Sequence, residues 1–379
     1  MPWEERTVQD QRYYFVLEAQ HTDNFSALCR IYGISRKTGY KWLQRSQEDA
    51  GYHNQSKRPH HSPNATPIEM ELLILAKRVA HPAWGGAKIR QVLLDEGVQG
   101  LPSARTCAAI LQRNGLVSKE QSQRAKAFQR FERAHCNELW QVDFKGWFLM
   151  ENGRRCYPFT LVDDHSRYCL GIVPQGDLQG VLGHMQTFFQ RYGVPDAILS
   201  DNGMPFRSTQ GGYSHFDRTL MDQNILPIHS RVYHPQTQGK IERFHGTLKR
   251  ELLAYTRIKD LTHAREAMEA WRQEYNEVRP HEAIGMKRPA DLYRPSAQPY
   301  VDEVAPWVPE DLPTLRVNST GQIRIGGTSY YFSEVFAKTV LSYFHNPVTD
   351  LIHVFYRGFE LGRYNRITGQ RQLRGICRR

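Results

Sequence analysis

The stretch from His234 to Glu251, HPQTQGKIERFHGTLKRE, constrains this chain most. Pro235 and Gly239 mark a helix start near Thr237, after which Ile241, Phe244, Leu248 and Leu252 recur at helical spacing. A helix with one apolar stripe is docked on a core, not free. At about 100° per residue, Glu242, His245 and Lys249 fall together on the adjoining face, so a carboxylate, an imidazole and an ammonium line one edge of the stripe. By itself such a row is salt-bridged helix surface.

Two upstream stretches change that reading. In LWQVDFKGWFLM, Trp140, Val142 and Phe144 alternate with Gln141, Asp143 and Lys145, which sets an acid in mid-strand, where Asp is normally depleted. In PDAILSDNG, the apolar run Ala197 to Leu199 ends at Ser200 and Asp201, and Asn202 and Gly203 supply turn chemistry. Asp201 therefore stands at the carboxyl end of a buried strand, where sites in α/β sheets open. Three acids on a strand, a strand end and a helix make an oxygen-rich cage for hard divalent cations. Mg²⁺ and Mn²⁺ both suit carboxylates, and ion pairs roughly 3.5–4 Å apart clamp the attacking and leaving oxygens of phosphoryl displacement.

The motifs WQVD around Asp143, TLVDDHSRY after it, ILSDNG around Asp201, HPQTQGKIER around Glu242 and YNEVRPH from Tyr275 occur in one order. With them, the stretch from about Leu139 to Tyr293 resembles the catalytic core of the retroviral integrase superfamily, and the whole chain resembles a bacterial insertion-sequence transposase. The resemblance implies an RNase H-like α/β core. It makes Asp143, Asp201 and Glu242 both the catalytic and the metal-binding residues, holding two Mg²⁺ ions for which Mn²⁺ substitutes. Asn202 and Gly203 then support Asp201. His245 ranks as a DNA contact before a catalytic base, and Lys249 is either a phosphate contact or an exposed lysine. The partners implied are double-stranded DNA, as element ends and as target, and further copies of the chain in a homodimer or larger homo-oligomer. Forty residues separate Asp201 from Glu242, a little more than in retroviral integrases, and STQGGYSHFDRT (Ser208 to Thr219) reads as the local insertion.

The 379 residues allow two to four domains, and the formal charge of +11 favours an anionic partner. Six scattered cysteines without CxxC pairs read as reduced cytosolic thiols, not as a zinc site. No apolar run of about 18 residues and no signal region occurs, so the expectation is a bacterial cytoplasmic protein without a membrane partner, nucleoid-associated when bound to DNA.

In chain order, residues 1–50 read as a helix-turn-helix. Val8, Tyr13, Val16 and Leu17 suggest one helix; Phe25, Leu28, Ile31 and Tyr32 suggest a second. Ser35 caps a third, which turns Tyr40 and Leu43 to the core and Arg36, Lys37 and Lys41 toward a major groove. Residues 51–66 are a Pro-punctuated linker whose His53, His60 and His61 lack a matching ligand set. Residues 67–116 read as a second helix-turn-helix with Trp84 as a core anchor; HPAWGGAKIRQVLLDEG and PSARTCAAILQRNGL resemble the second DNA-binding module of insertion-sequence transposases, which implies that Arg105 and Arg113 face DNA. Residues 117–136 are a basic linker in which Lys126 and Arg130 either track phosphates or belong to a solvated helix. The core spans 137–294, and its first three strands form an antiparallel meander. There Asp163 and Asp164 are read as hairpin chemistry. A helix from about Leu178 to Tyr192 buries Val181, Leu182, Met185 and Phe188 or Phe189, and one from Leu261 to Asn276 buries Ala264, Met268, Trp271 and Tyr275. YNEVRPH is structural or end-binding.

A linker at 295–313 leads to a small β-rich domain, 314–379, all-β and barrel-like, with an Arg-rich tail that either grips phosphate or is disordered. The overall class is multidomain: all-α modules, an α/β RNase H-like core, a small all-β domain. Two rival functions stay open. One is a catalytically silent, transposase-derived DNA-binding regulator, which predicts a damaged triad. The other is a simple metal-dependent nuclease, which has no obvious use for the flanking modules.

Overall fold

The computed structural model describes residues 7–48, 51–54, 65–117, 132–208, 212–230, 239–325, 327–368, 370–372 and 376–379. Lys126, Arg130 and the helix start near Thr237 lie outside them. The chain divides into compact units at 1–65 and 66–379.

The first unit holds α1 (Val8–Ala19), α2 (Phe25–Ile31) and α3 (Arg36–Gln47). Each start is chemically marked: Thr7 and Asp10 form a capping box, Asn24 caps α2 and Ser35 caps α3. Phe15, Val16, Leu28, Cys29 and Trp42 make the core. On α3 the buried positions are Gly39 and Trp42, which corrects the expectation for Tyr40. A Cβ on Gly39 would come within 2.8–2.9 Å of Phe25, Cys29 and Phe15, so the helix backbone itself presses on α1 and α2. Tyr40 is 53% exposed and lies over the Phe25 ring, while Leu43 is half-buried.

The second unit opens with α4 (Ile68–Ala80), α5 (Gly86–Asp95) and α6 (Ala104–Arg113) around Ile74, Trp84, Ile89, Val92, Cys107 and Ile110. Trp84 is a core anchor, stacked on His81 at 3.8 Å. Gly86 lets α5 meet α6 backbone to backbone: a Cβ there would lie 2.5 Å from the amide nitrogen of Ala108.

The central part runs β1 (Trp140–Phe144), β2 (Phe148–Leu149), β3 (Arg155–Asp163), β4 (Cys169–Gln175), α7 (Val181–Tyr192), β5 (Ala197–Ser200), α8 (His215–Asp222), β6 (Leu226–His229), α9 (Gly239–Leu248), α10 (Leu261–Glu277) and α11 (Pro289–Leu292). The sheet order is β4-β3-β1-β5-β6, with β2 also on β3. β1, β3 and β4 form the antiparallel meander, while β5 and β6 run parallel to β1. The alternation along β1 sorts side chains between two helical layers. Trp140 and Val142 join Met185, Phe189, Ile198 and Leu220 on the α7 and α8 side. On the other side Ile241, Phe244, Leu248 and Leu252 meet Val162, Ile172, Met268, Trp271 and Tyr275, so the stripe on α9 is docked as its period requires. Leu182 of α7, expected inside, is 38% exposed.

YNEVRPH is a structural fastener. Asn276 accepts from the Cys169 amide (2.8 Å) and donates to its carbonyl (2.9 Å), which pins α10 to β4. Arg279 donates to both carboxylate oxygens of Glu251 at 2.9 Å. Glu251 sits on a π turn, Lys249–Leu253, that continues α9. Lys88 of α5 approaches the same carboxylate at 3.9 Å and His81 Nδ1 lies 2.9 Å from a carboxylate oxygen of Glu274 of α10, so polar contacts join the α4–α6 module to the central part. Burial, then Arg279, pushes the Lys88 ammonium down to about 8.

The C-terminal part holds β7 (Thr314–Arg316), β8 (Gln322–Ile325), β9 (Thr328–Tyr331), β10 (Val340–Asn346), β11 (Leu351–Tyr356), β12 (Phe359–Asn365), β13 (Arg371–Gln372) and β14 (Cys377–Arg378). It is β-rich, as the alternation predicts. Among the described strands, β13-β12-β11-β10-β7 form an open sheet, with β14 on β12 and a separate β8-β9 hairpin, and no pairing closes a ring. One core joins both sheets through Ile323, Tyr330, Leu341, Ile352, Val354 and Phe359. That core also takes in Tyr213 and Met221 from the central part. The segment read as an insertion docks here through Tyr213 and through Arg218, which donates to the Val335 carbonyl; just beyond it, Asp222 accepts from Tyr356 and Arg357.

Where it is described, the arginine tail makes contacts within the chain. Arg363 pairs with Glu360 and Arg366 with Asp350; Arg371 lies over the Tyr213 ring, and Arg378 donates to the carbonyls of Asp196 and Asn224. Arg374 lies outside the described residues.

Candidate active site

The parallel register pairs Gln141 with Leu199. Continued two residues, it brings Asp143 level with Asp201, so the two carboxylates rise side by side where β1 and β5 end. Asp143 keeps 17% of its side chain exposed. Burial first, then the negative charge of Asp201 and, less, of Glu242, pushes its carboxyl up to about 7. Asp201 is also raised by burial, against which the Gly203 amide donates to Oδ1 at 3.0 Å. Asn202 donates to the Ser230 carbonyl at 2.6 Å, tying the turn after β5 to the end of β6. Asn202 and Gly203 thus each make a hydrogen bond at the turn that follows β5.

Glu242 is an exposed side chain in the first turn of α9. Among the described residues, no three His, Cys, Asp or Glu side chains close into a set that could hold a metal ion. The acids are nonetheless near enough for Asp201 and Glu242 both to raise the proton affinity of Asp143.

His245 departs most from its expected part as a DNA contact. Its side chain is 12% exposed; Nε2 lies 2.7 Å from Thr160 Oγ1, and Nδ1 lies 4.0 Å from Asp143 Oδ2. The Thr160 hydroxyl has one proton and gives it to the Asp143 carbonyl at 2.9 Å, so His245 Nε2 is the donor to Thr160 and Nδ1 is left as an acceptor. Burial, then Lys145, pushes the ring down to about 3. The contact with Asp143 is accordingly no ion pair. A neutral imidazole wedges β1, β3 and α9 together beside the first acid.

Sequence reasoning passed over Lys145. It lies two residues beyond Asp143, and burial together with the charge of Lys249 lowers its ammonium. Two lysines thus flank the acids, and the i, i+2 step from Asp143 was the signal for the first. Lys249 is exposed at the start of the π turn. In the first unit, Arg36, Lys37 and Lys41 are exposed on α3, with the Lys41 ammonium 5.3 Å from the Trp42 ring centre. Arg105 is exposed at the start of α6, whereas Arg113 at its end pairs with Glu71 of α4.

Two adjoining models of the integrase core domain match residues 133–235 and 223–289, and a helix-turn-helix domain model matches 11–60. Residues 133–289 are thus similar to the integrase core domain family. Over 158 residues, 41% of its length, the chain is 31% identical to the insertion element IS407 uncharacterized 31.7 kDa protein of Burkholderia multivorans, covering 55% of that protein. Over 158 residues it is 29% identical to the insertion element IS476 uncharacterized 39.2 kDa protein of Xanthomonas euvesicatoria, covering 44% of it. The chain thus spans about half the length of these curated relatives. Among solved structures, a chain of the simian T-cell lymphotropic virus intasome in complex with PP2A regulatory subunit B56 gamma aligns with 69% of this chain and 85% of its own, at 16% identity and a TM-score of 0.38. Among the described residues, no helix is long and apolar enough to cross a membrane.

Proposed function

We propose that the protein is a DNA transposase that binds the ends of an insertion sequence and, with a divalent cation, cleaves DNA strands and joins them to target DNA. The observation that carries this reading is Asp143: a mid-strand acid whose proton affinity is raised by burial and by two further acids from the end of β5 and the first turn of α9. A fold keeps such a costly group for chemistry more readily than for stability.

The donor set fits a hard cation. Asp143, Asp201 and Glu242 offer carboxylate oxygen alone, suited to Mg²⁺ and to Mn²⁺ in its place, and a positive ion would offset the burial and the repulsion that raise the proton affinity of Asp143. Two bound ions would supply Lewis-acid stabilisation of the attacking and leaving oxygens. The chain's own residues supply the rest. Lys145 and Lys249 bind the nonbridging oxygens of the scissile phosphate, and His245 and Thr160 fix the strand that carries Asp143. Asn202 and Gly203 hold Asp201 forward.

Sequence choice falls to the helical modules, since a phosphate-reading site has none. Arg36, Lys37 and Lys41 are the base- and phosphate-reading face of α3, and Arg105 that of a second helix-turn-helix at 67–116. The C-terminal sheet and hairpin, wrapped on one core, form a barrel-like module that braces the catalytic core. Two ends must meet, so the working form is a homodimer or larger, acting on double-stranded DNA in the bacterial cytoplasm.

The test is an end-joining assay with purified protein, Mg²⁺ and labelled duplexes carrying the DNA that flanks the gene, beside Asp201→Asn and Glu242→Gln. Joined products that vanish in both variants while end binding persists support the reading. Specific binding without joining, in Mg²⁺ and in Mn²⁺, replaces it with a DNA-binding regulator.

A further inference from the structure

Asp164 takes no part in the chemistry above, yet its carboxylate accepts from three separate segments of the chain. Its side chain has no exposure. Oδ1 accepts from Gln141 Nε2 at 2.7 Å; Oδ2 accepts from the Arg133 amide at 3.0 Å and from the ammonium of Lys240. Gln141 passes the connection on, because its Oε1 accepts from the Ile241 amide at 3.2 Å. That amide belongs to the first turn of α9, where a helix has no carbonyl of its own to offer. A strand side chain therefore caps the helix from outside.

The spacing gives these bonds a direction. Gln141 and Asp143 are two residues apart on β1, a rise of about 6.6 Å. Ile241 and His245 are four apart on α9, a rise of about 6.0 Å. Gln141 meets Ile241, and Asp143 faces His245, so strand and helix run alongside in matched steps. Sliding α9 by one residue would break both contacts together. Glu242 directly follows Ile241, so whatever fixes Ile241 fixes the starting point of that acid.

We propose that Gln141, Asp164 and Lys240 are positioning residues: a buried latch that sets the register of α9 on β1 and thereby holds Glu242 at its place beside Asp143. The inference rests on the reading of Glu242 as a partner of Asp143 in catalysis. The Arg133 amide shares Oδ2 with Lys240, so the segment that precedes β1 is held by the same carboxylate. Asp163, its neighbour, has a separate task. It accepts from the Asn137 amide and from the amide and hydroxyl of Ser166, closing the β3–β4 turn.

The experiment uses the full chain with Gln141→Leu, Lys240→Met and the conservative Lys240→Arg. Backbone hydrogen exchange without metal or DNA is read at Ile241 to Phe244 and, as an internal control, along α10. The latch predicts exchange about tenfold faster at α9 in Gln141→Leu and Lys240→Met, unchanged exchange in α10, and wild-type behaviour in Lys240→Arg. The Mg²⁺ concentration for half-maximal joining rises at least fivefold in the first two variants, with end binding unaltered. Wild-type protection of α9 in both variants overturns the latch, as does equal loosening of α9 and α10. A wild-type protein that joins no ends refutes the transposase reading and leaves the exchange result to be judged separately.

Discussion

Asp143→Asn should make the metal-free protein more stable at neutral and alkaline pH. The carboxyl stands at about 7 in the fold instead of the ordinary 3.8, so the folded chain holds the proton more tightly than the unfolded chain does. With a raised acid, the stabilising contribution is complete below about pH 4 and is lost as pH climbs to about 7. At about 1.4 kcal/mol per pH unit, forcing the charge into the fold costs on the order of 4 kcal/mol above that point. Asparagine keeps the shape and carries no charge, so the variant escapes the cost. At the lower end of the roughly 2–4 °C per kcal/mol seen in domains of 150–250 residues, the gain is about 8 °C. The assay is thermal and urea unfolding of both proteins in EDTA from pH 5 to 9, read as variant minus wild type so that other titrating groups cancel. The difference should grow with pH and level off above 7; Mg²⁺ at pH 8 should then shrink it by stabilising the wild type alone. A difference that is flat, or that grows toward acid, refutes the account of Asp143.

Gly86→Ala forces a methyl against the α6 backbone and should cost about 1–3 kcal/mol, read as loss of Tm and as proteolysis within 66–117. Tyr213→Ala removes a buried ring from the C-terminal core and should cost about 3 kcal/mol, with faster exchange in β10 to β12 and not in β1 or β3. Lys145→Ala and Lys249→Ala should each lower the slope of log affinity against log salt by about one if they hold phosphate, measured by end binding between about 50 and 200 mM salt. An unchanged slope would make them fold residues.

The elements were legible wherever a period and a cap coincided. Ser35, Ser103 and Asp260 each open the helix that the sequence suggests, and the stripe from Ile241 to Leu252 meets the sheet as its spacing demands. Asp143 and Asp201 were legible because an acid in a strand and an acid at a strand end break local preference. What a linear reading could not see was which helix the odd-numbered residues of β1 would face. Gln141, Asp164 and Lys240 are spread over a hundred residues, and DDHS looks like turn chemistry until a third partner arrives from α9. Tyr40 failed for another reason: Gly39 has no side chain to count as apolar, yet its bare backbone is what α3 presses on its neighbours.

Tyr213 and Met221 lie within the forty residues separating the second acid from the third, and both are built into the core of the C-terminal sheet. The separation between those acids is therefore not a matter for chemistry alone. Shortening it would unseat another module, and swapping that module between related elements would carry a hole or a clash at Tyr213. Inheritance should treat the interval and the sheet as one block, exchanged together or not at all.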